Sequence, residues 1–147
     1  MIGKVLTGQK FNEKYQGYNF FKFLGYDLNY NGFIYKNGLN VDTNSFNPTG
    51  EYSIGGLFFI DNIQLFAWML ELVKYDDCYR YLYVSKVTIP NNAIVYIGHD
   101  GYKSDKLIVD VNNKIHILKL SIWNDNAFCK YAIKKTYKIF KYIQNKT

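Results

Sequence analysis

Residues 55–74 constrain the fold more tightly than any other stretch. Gly55-Gly56-Leu57-Phe58-Phe59-Ile60 is a continuous apolar run behind two glycines. It is too short for a helix of its own and rich in β-formers, so it reads as a central strand. Asp61-Asn62-Ile63-Gln64 follows at once. That is a capping-box pattern: Asp61 accepts from the first helical amides and Gln64 reaches back to the Asp61 amide. A helix is therefore expected over 61–75. Leu65–Leu70 is apolar all round, so this helix is buried on more than one face, with Trp68 and Met69 in the core. A strand that turns directly into a buried helix needs a sheet for the helix to cover, which is an α+β arrangement.

The flanks supply the sheet. Residues 1–17, with Gly3, Gly8 and Gly17 among polar neighbours, read as a loose arm. Strands are expected at Tyr18–Leu24, Phe33–Lys36, Tyr79–Ile89 and Ala93–Ile97. Asn37-Gly38 and Pro90-Asn91-Asn92 are turns. Lys106–Val111 and Lys114–Trp123 read as a hairpin about Asn112-Asn113. Asp125 or Asn126 would cap a last helix over 126–145. The expectation is one domain: the arm, a mostly antiparallel twisted sheet of about six strands within 18–123, one buried helix and one basic C-terminal helix. At 147 residues such a domain can bury a genuine core.

Leu39–Glu51 breaks the pattern. It has no hydrophobic period and is filled with Asn, Asp, Thr, Ser, Pro and Gly, residues whose side chains bond nearby backbone. A long ordered loop in a small domain is a candidate for function. Aromatic residues make up 19% of the chain, with 15 Tyr and 11 Phe. Many tyrosine tips should therefore reach the core's edge for hydrogen-bond partners.

Charge and cysteine usage exclude several classes. The net charge is +6, yet Arg80 is the only arginine among 18 basic residues. Recognition that depends on guanidinium forks is disfavoured. Cys78 and Cys129 have no metal-ligand spacing and fit free thiols of a cytoplasmic protein. No apolar run is long enough to span a bilayer. His99 sits in a Gly-His-Asp-Gly turn, where it is either solvated or a general base beside Asp100. His116 alternates within a strand and reads as structural. Asp76-Asp77 reads as a solvated helix end. No cofactor or metal is implied.

Gly32–Thr43, Phe46-Asn47-Pro48-Thr49-Gly50, Gly55–Asp61, Val87–Ala93 and Lys103–Val109 together resemble the amino-terminal domain of mimivirus-type ankyrin-repeat proteins. The resemblance covers roughly residues 18–110, without the repeats. It implies a giant-virus type protein in a host cytoplasm or virion, and it carries no settled activity. Family members often have a cysteine where Tyr52 stands and a histidine near Tyr30; this chain has neither. The element order is also similar to ADP-ribosyltransferases, with Gly38-Leu39 and Gly56-Leu57-Phe58-Phe59 in the places of their NAD-lining segments. The late catalytic glutamate of that group is missing, since the glutamates are Glu13, Glu51 and Glu71. Asp105 or Asp110 would have to replace it, and Lys103 and Lys106 beside Asp105 make it a poor general acid.

The expected function is a small non-catalytic module that binds a protein partner through loops 39–52 and 98–106. Asn40, Asp42, Asn47, Gly55 and Gly56 are expected to build the loop; Gly55 and Gly56 would let backbones approach closely. Lys103, Asp105 and Lys106 are expected to make contact. Whether the chain is an enzyme stays open, with the balance against. An ADP-ribosyltransferase-like enzyme is one alternative. A nucleic-acid binder using Lys130, Lys134, Lys138 and Lys141 along one helix face is the other. A tyrosine-rich β-edge also leaves room for a homo-oligomer.

Overall fold

A computed structural model describes residues 1–74, 81 and 83–120. Its strands are β1 (Val5–Thr7), β2 (Phe20–Leu24), β3 (Asn29–Tyr30), β4 (Phe33–Ile34), β5 (Gly38–Val41), β6 (Leu57–Asp61), β7 (Tyr83–Thr88), β8 (Ile94–Ile97), β9 (Tyr102–Ser104), β10 (Lys106–Val109) and β11 (Ile115–His116). Two helices accompany them, α1 (Gly8–Lys14) and α2 (Asn62–Lys74). The class is α+β with a large antiparallel sheet, as expected, but there are more strands than six. The expected C-terminal helix, both cysteines and Asp76-Asp77 lie outside the described residues.

The main sheet runs β1-β8-β9-β6-β2-β7-β10-β5, with β11 paired to β7 and β3-β4 forming a separate hairpin. Every described pairing is antiparallel. Strand β6 and the segment β9–β10 serve both halves. Leu57–Phe59 of β6 pair with β9, while Ile60 and Asp61 pair with β2. The chain then bends at Asp105, so that β9 joins β8 and β6 while β10 joins β7 and β5. Asp105 holds the bend: its Oδ1 accepts from the Ile94 amide at 2.9 Å and its carbonyl from Asp42 at 3.0 Å. The sheet thus curls on itself. Side chains as distant in strand order as Val95, Phe59, Phe20 and Val109 meet in one core.

That core is aromatic at its centre. Phe11 lies 4.7–5.9 Å from the rings of Tyr15, Phe20, Phe59 and Tyr102. A second core lies on the opposite face, where Met69 and Leu72 of α2 and Ile117 cover Phe23, Ile60 and Val84. The capping box forms as the sequence indicates. Asp61 Oδ1 accepts from Ile63 and Gln64 at 2.9 and 2.8 Å, and Gln64 Oε1 accepts from Asp61 at 3.0 Å. The Tyr102 hydroxyl donates to the other Asp61 oxygen at 2.6 Å.

Four expectations differ from the structure. The helix is not buried on more than one face: Met69 and Leu72 are buried, whereas Ile63 and Phe66 are exposed and Trp68 is half-buried, because α2 covers the sheet with a single side. The first 17 residues are not a loose arm: β1 pairs with β8, Thr7 caps α1 by accepting from Lys10, and Phe11 is fully buried. Gly8 makes this docking fit, since a Cβ there would lie 1.8 Å from the Pro90 carbonyl oxygen. The loop expected at 39–51 begins later, because residues 38–41 pair with β10 as β5. The segments about Asn112-Asn113 are not a hairpin; both β10 and β11 pair with β7, joined by a 3-10 turn at Val111–Asn113.

Candidate functional site

The segment from Asp42 to Gly56 crosses the curled sheet beside the β3-β4 hairpin. It is fixed by its own polar side chains. Asp42 Oδ2 accepts from Gly56 at 2.7 Å and Oδ1 from Asn44 at 3.2 Å. The Asn47 amide donates to the Gly55 carbonyl at 2.9 Å, and Asn47 Oδ1 accepts from Thr49. Gly55 sits at φ 102°, and a Cβ there would lie 2.3 Å from the Ser45 carbonyl oxygen. Asn40 is buried one strand earlier and closes a ring of bonds with the Lys36 backbone.

The loop is also tied to the turn at 98–101. Glu51 Oε1 accepts from the amides of both His99 and Asp100 at 2.9 Å. The Tyr52 hydroxyl donates to Asp100 at 3.3 Å. Lys103 reaches up from β9 and donates to Ser53 Oγ at 2.8 Å. Glu51 replaces water as the acceptor for two turn amides, and a carboxylate makes those bonds charge-assisted.

Between this loop, the hairpin and β6 lies a cleft of about 490 Å³. Tyr30, Phe33, Tyr35, Tyr52 and Phe58 supply aromatic walls. Asp42 and Glu51 are its carboxylates, and Gly55 and Gly56 form part of its backbone surface. Phe58 stacks between Tyr30, at 6.2 Å and 8° between planes, and Tyr52, at 5.6 Å and 28°. Trp68 of α2 meets Phe58 edge-on at 6.0 Å. Tyr52 is 62% exposed, so the row is open at that end.

Two lysines support the cleft from beneath. Lys22 is buried in β2, donates to the Phe58 carbonyl, and places Nζ 3.9 Å from the Tyr30 ring centre and 4.6 Å from that of Tyr35. Burial pushes its ammonium well below the usual lysine range and pushes the Tyr30 and Tyr35 hydroxyls up. Lys103 is fully buried too. Burial lowers it, partly opposed by Glu51 and Asp42. The strand period could have located Lys22, since it shares a face with Phe20 and Leu24. Lys103 gives no such signal, because three successive β9 residues are all buried.

The candidate contact residues thus divide. Lys103 faces inward and holds the loop. Asp105 pins the sheet's bend and lies 4.0 Å from the Lys106 ammonium at a half-buried corner. Neither Asp105 nor Lys106 lines the cleft. Asp110 accepts from Asn113 and is likewise outside it. A second cavity of about 620 Å³ lies between α2 and the 98–101 turn, sharing Tyr52 and bordered by His99, Asp100 and Trp68. Trp68 Nε1 donates to the Asp100 carbonyl at 3.2 Å. His116 packs edge-on against Tyr83 at 5.6 Å. Among the described residues no group of three or more His, Cys, Asp or Glu could hold a metal ion. No helix among them is long and apolar enough to cross a membrane. Lys130, Lys134, Lys138 and Lys141 lie outside the described residues. The chain matches no known protein family, no curated protein and no solved structure.

Proposed function

We propose that this chain is an interaction module that receives a protein partner on the surface formed by loop 42–56 and the turn at 98–101. One observation carries the reading: Glu51 bonds both turn amides, so two segments distant in sequence form one pinned surface beside an aromatic cleft. Pre-organisation of this kind lowers the ordering cost of binding. Exposed aromatic side chains such as Tyr52 are suited to anchor contacts. The resemblance to the head domain of giant-virus ankyrin proteins belongs to the same proposal.

The ADP-ribosyltransferase-like alternative has weaker support. Gly56–Phe58 does border a cleft, but Asp105 and Asp110, its substitutes for the missing glutamate, bond elsewhere and line no part of it.

A photo-crosslinking side chain at position 52, expressed in cells, tests the proposal against the same probe at exposed Tyr26, which lies outside the cleft. The expected result is a discrete crosslinked protein at 52, absent at 26 and lost on Glu51→Ala. Identical products at both positions, or none at 52, would overturn it.

A further inference from the structure

The ionisable composition of the cleft runs against that of the chain. The protein carries a net charge of +6, yet among the described residues no lysine, arginine or histidine lines the cleft; Lys103 lies beneath it, buried and within electrostatic reach of both carboxylates. Asp42 and Glu51 do. Each of these carboxylates accepts two backbone amides, and a carboxylate offers about four lone-pair sites, so both keep acceptor capacity. Aromatic faces and carboxylates together form a site for a cation.

We propose that the cleft holds an arginine side chain presented by the protein partner, its guanidinium stacked on Tyr52 at the open end of the row and paired with Asp42 or Glu51. The inference rests on the interaction-module reading and names the chemistry of its ligand. Arginine fits better than lysine for two reasons. A planar guanidinium can lie flat on an exposed ring such as Tyr52 while its fork pairs with a carboxylate, a combination a tetrahedral ammonium does not offer. A cleft of about 490 Å³ also accommodates the whole side chain with its adjoining backbone, far more than an ammonium tip requires. The occupant is not a second copy of this chain by its abundant residues, since Arg80 is the sole arginine.

The test uses the full chain and three small probes: Nα-acetyl-arginine amide, its lysine counterpart and its citrulline counterpart. Amide shifts of Tyr52, Gly55 and Gly56 are followed by NMR. Arginine is expected to bind at least tenfold more tightly than either other probe and to weaken as salt rises. Tyr52→Ala, at an exposed ring, and Glu51→Gln, which keeps an acceptor for the turn amides while removing charge, should each reduce binding several-fold with the remaining spectrum intact. Tyr26→Ala should leave it unchanged. Equal binding of lysine would reduce the cleft to a non-selective acidic surface and overturn the proposal. Citrulline binding as well as arginine, or no shift with any probe, would overturn it too. If arginine fails while the position-52 crosslink survives, only the ligand class falls; if both fail, the interaction surface falls with it.

Discussion

Replacing Asp61 by alanine tests how the sheet and α2 are joined. One carboxylate caps the helix through Ile63 and Gln64 and also receives the buried Tyr102 hydroxyl at 2.6 Å. Losing an N-cap costs about 1 kcal/mol. Leaving Tyr102, which is 5% exposed, with an unpaired hydroxyl costs about 1–3 kcal/mol more. Asp61→Ala should therefore destabilise by about 2–4 kcal/mol. Tyr102→Phe alone removes one donor and leaves Asp61 two others, so it should cost about 1 kcal/mol. In the double variant no hydroxyl is orphaned, and the pair should show a coupling of about 1–2 kcal/mol. Urea unfolding with an unchanged slope is the assay. Strict additivity of the two substitutions, or a loss below about 0.5 kcal/mol for Asp61→Ala, would refute the reasoning.

Other consequences follow from the same packing. Phe11→Ala should cost about 3–5 kcal/mol in the same assay, because its ring is at the centre of the aromatic core; a loose arm would lose almost nothing. Gly55→Ala should cost at least about 1–3 kcal/mol, since φ 102° disfavours any side chain and a Cβ would collide with the Ser45 carbonyl. Stability should collapse in alkali. Tyr30, Tyr35 and Tyr102 have folded pKa values raised above the unfolded value of about 10, so their contribution is intact below that pH and lost above it. With three protons held only by the folded state, the loss should approach about 4 kcal/mol per pH unit. Lys22 acts in the opposite sense. Its folded pKa is lowered, so stability rises toward about pH 10.5 as the unfolded state gives up its extra proton. Chemical denaturation from pH 8 to 12 should show the rise before the fall, and Lys22→Met should flatten the rise.

The parts legible in the sequence are those fixed locally. The capping box at Asp61–Gln64 and the apolar run ahead of it specify strand, corner and helix without reference to the rest of the chain. The turns at Asn91-Asn92 and Gly98–Gly101 are legible for the same reason. What the sequence hid depends on partners far away. Leu39–Val41 has loop composition and becomes a strand only because β10 lies beside it. Residues 5–14 carry glycine and polar side chains, but Gly8 allows close approach to Pro90 and Phe11 finds the interior of a sheet built from residues 20–109. In the site, the polar loop was legible, and so were Gly55 and Gly56. The burial of Lys103 was not, because a lysine on a sequence page reads as surface, and that of Lys22 was marked only by its sharing a strand face with Phe20 and Leu24. The role of Glu51 was also hidden, since its two partners are 48 and 49 residues away.

The central claim is that Glu51 fuses the loop and the turn into one surface, and hydrogen exchange at the His99 and Asp100 amides measures it directly. Both lie on an exposed turn, yet both donate to Glu51. The account predicts measurable protection of the two amides at neutral pH and its loss in Glu51→Ala, with β6 and β9 amides unchanged. Free exchange of both amides in the unaltered protein would contradict it.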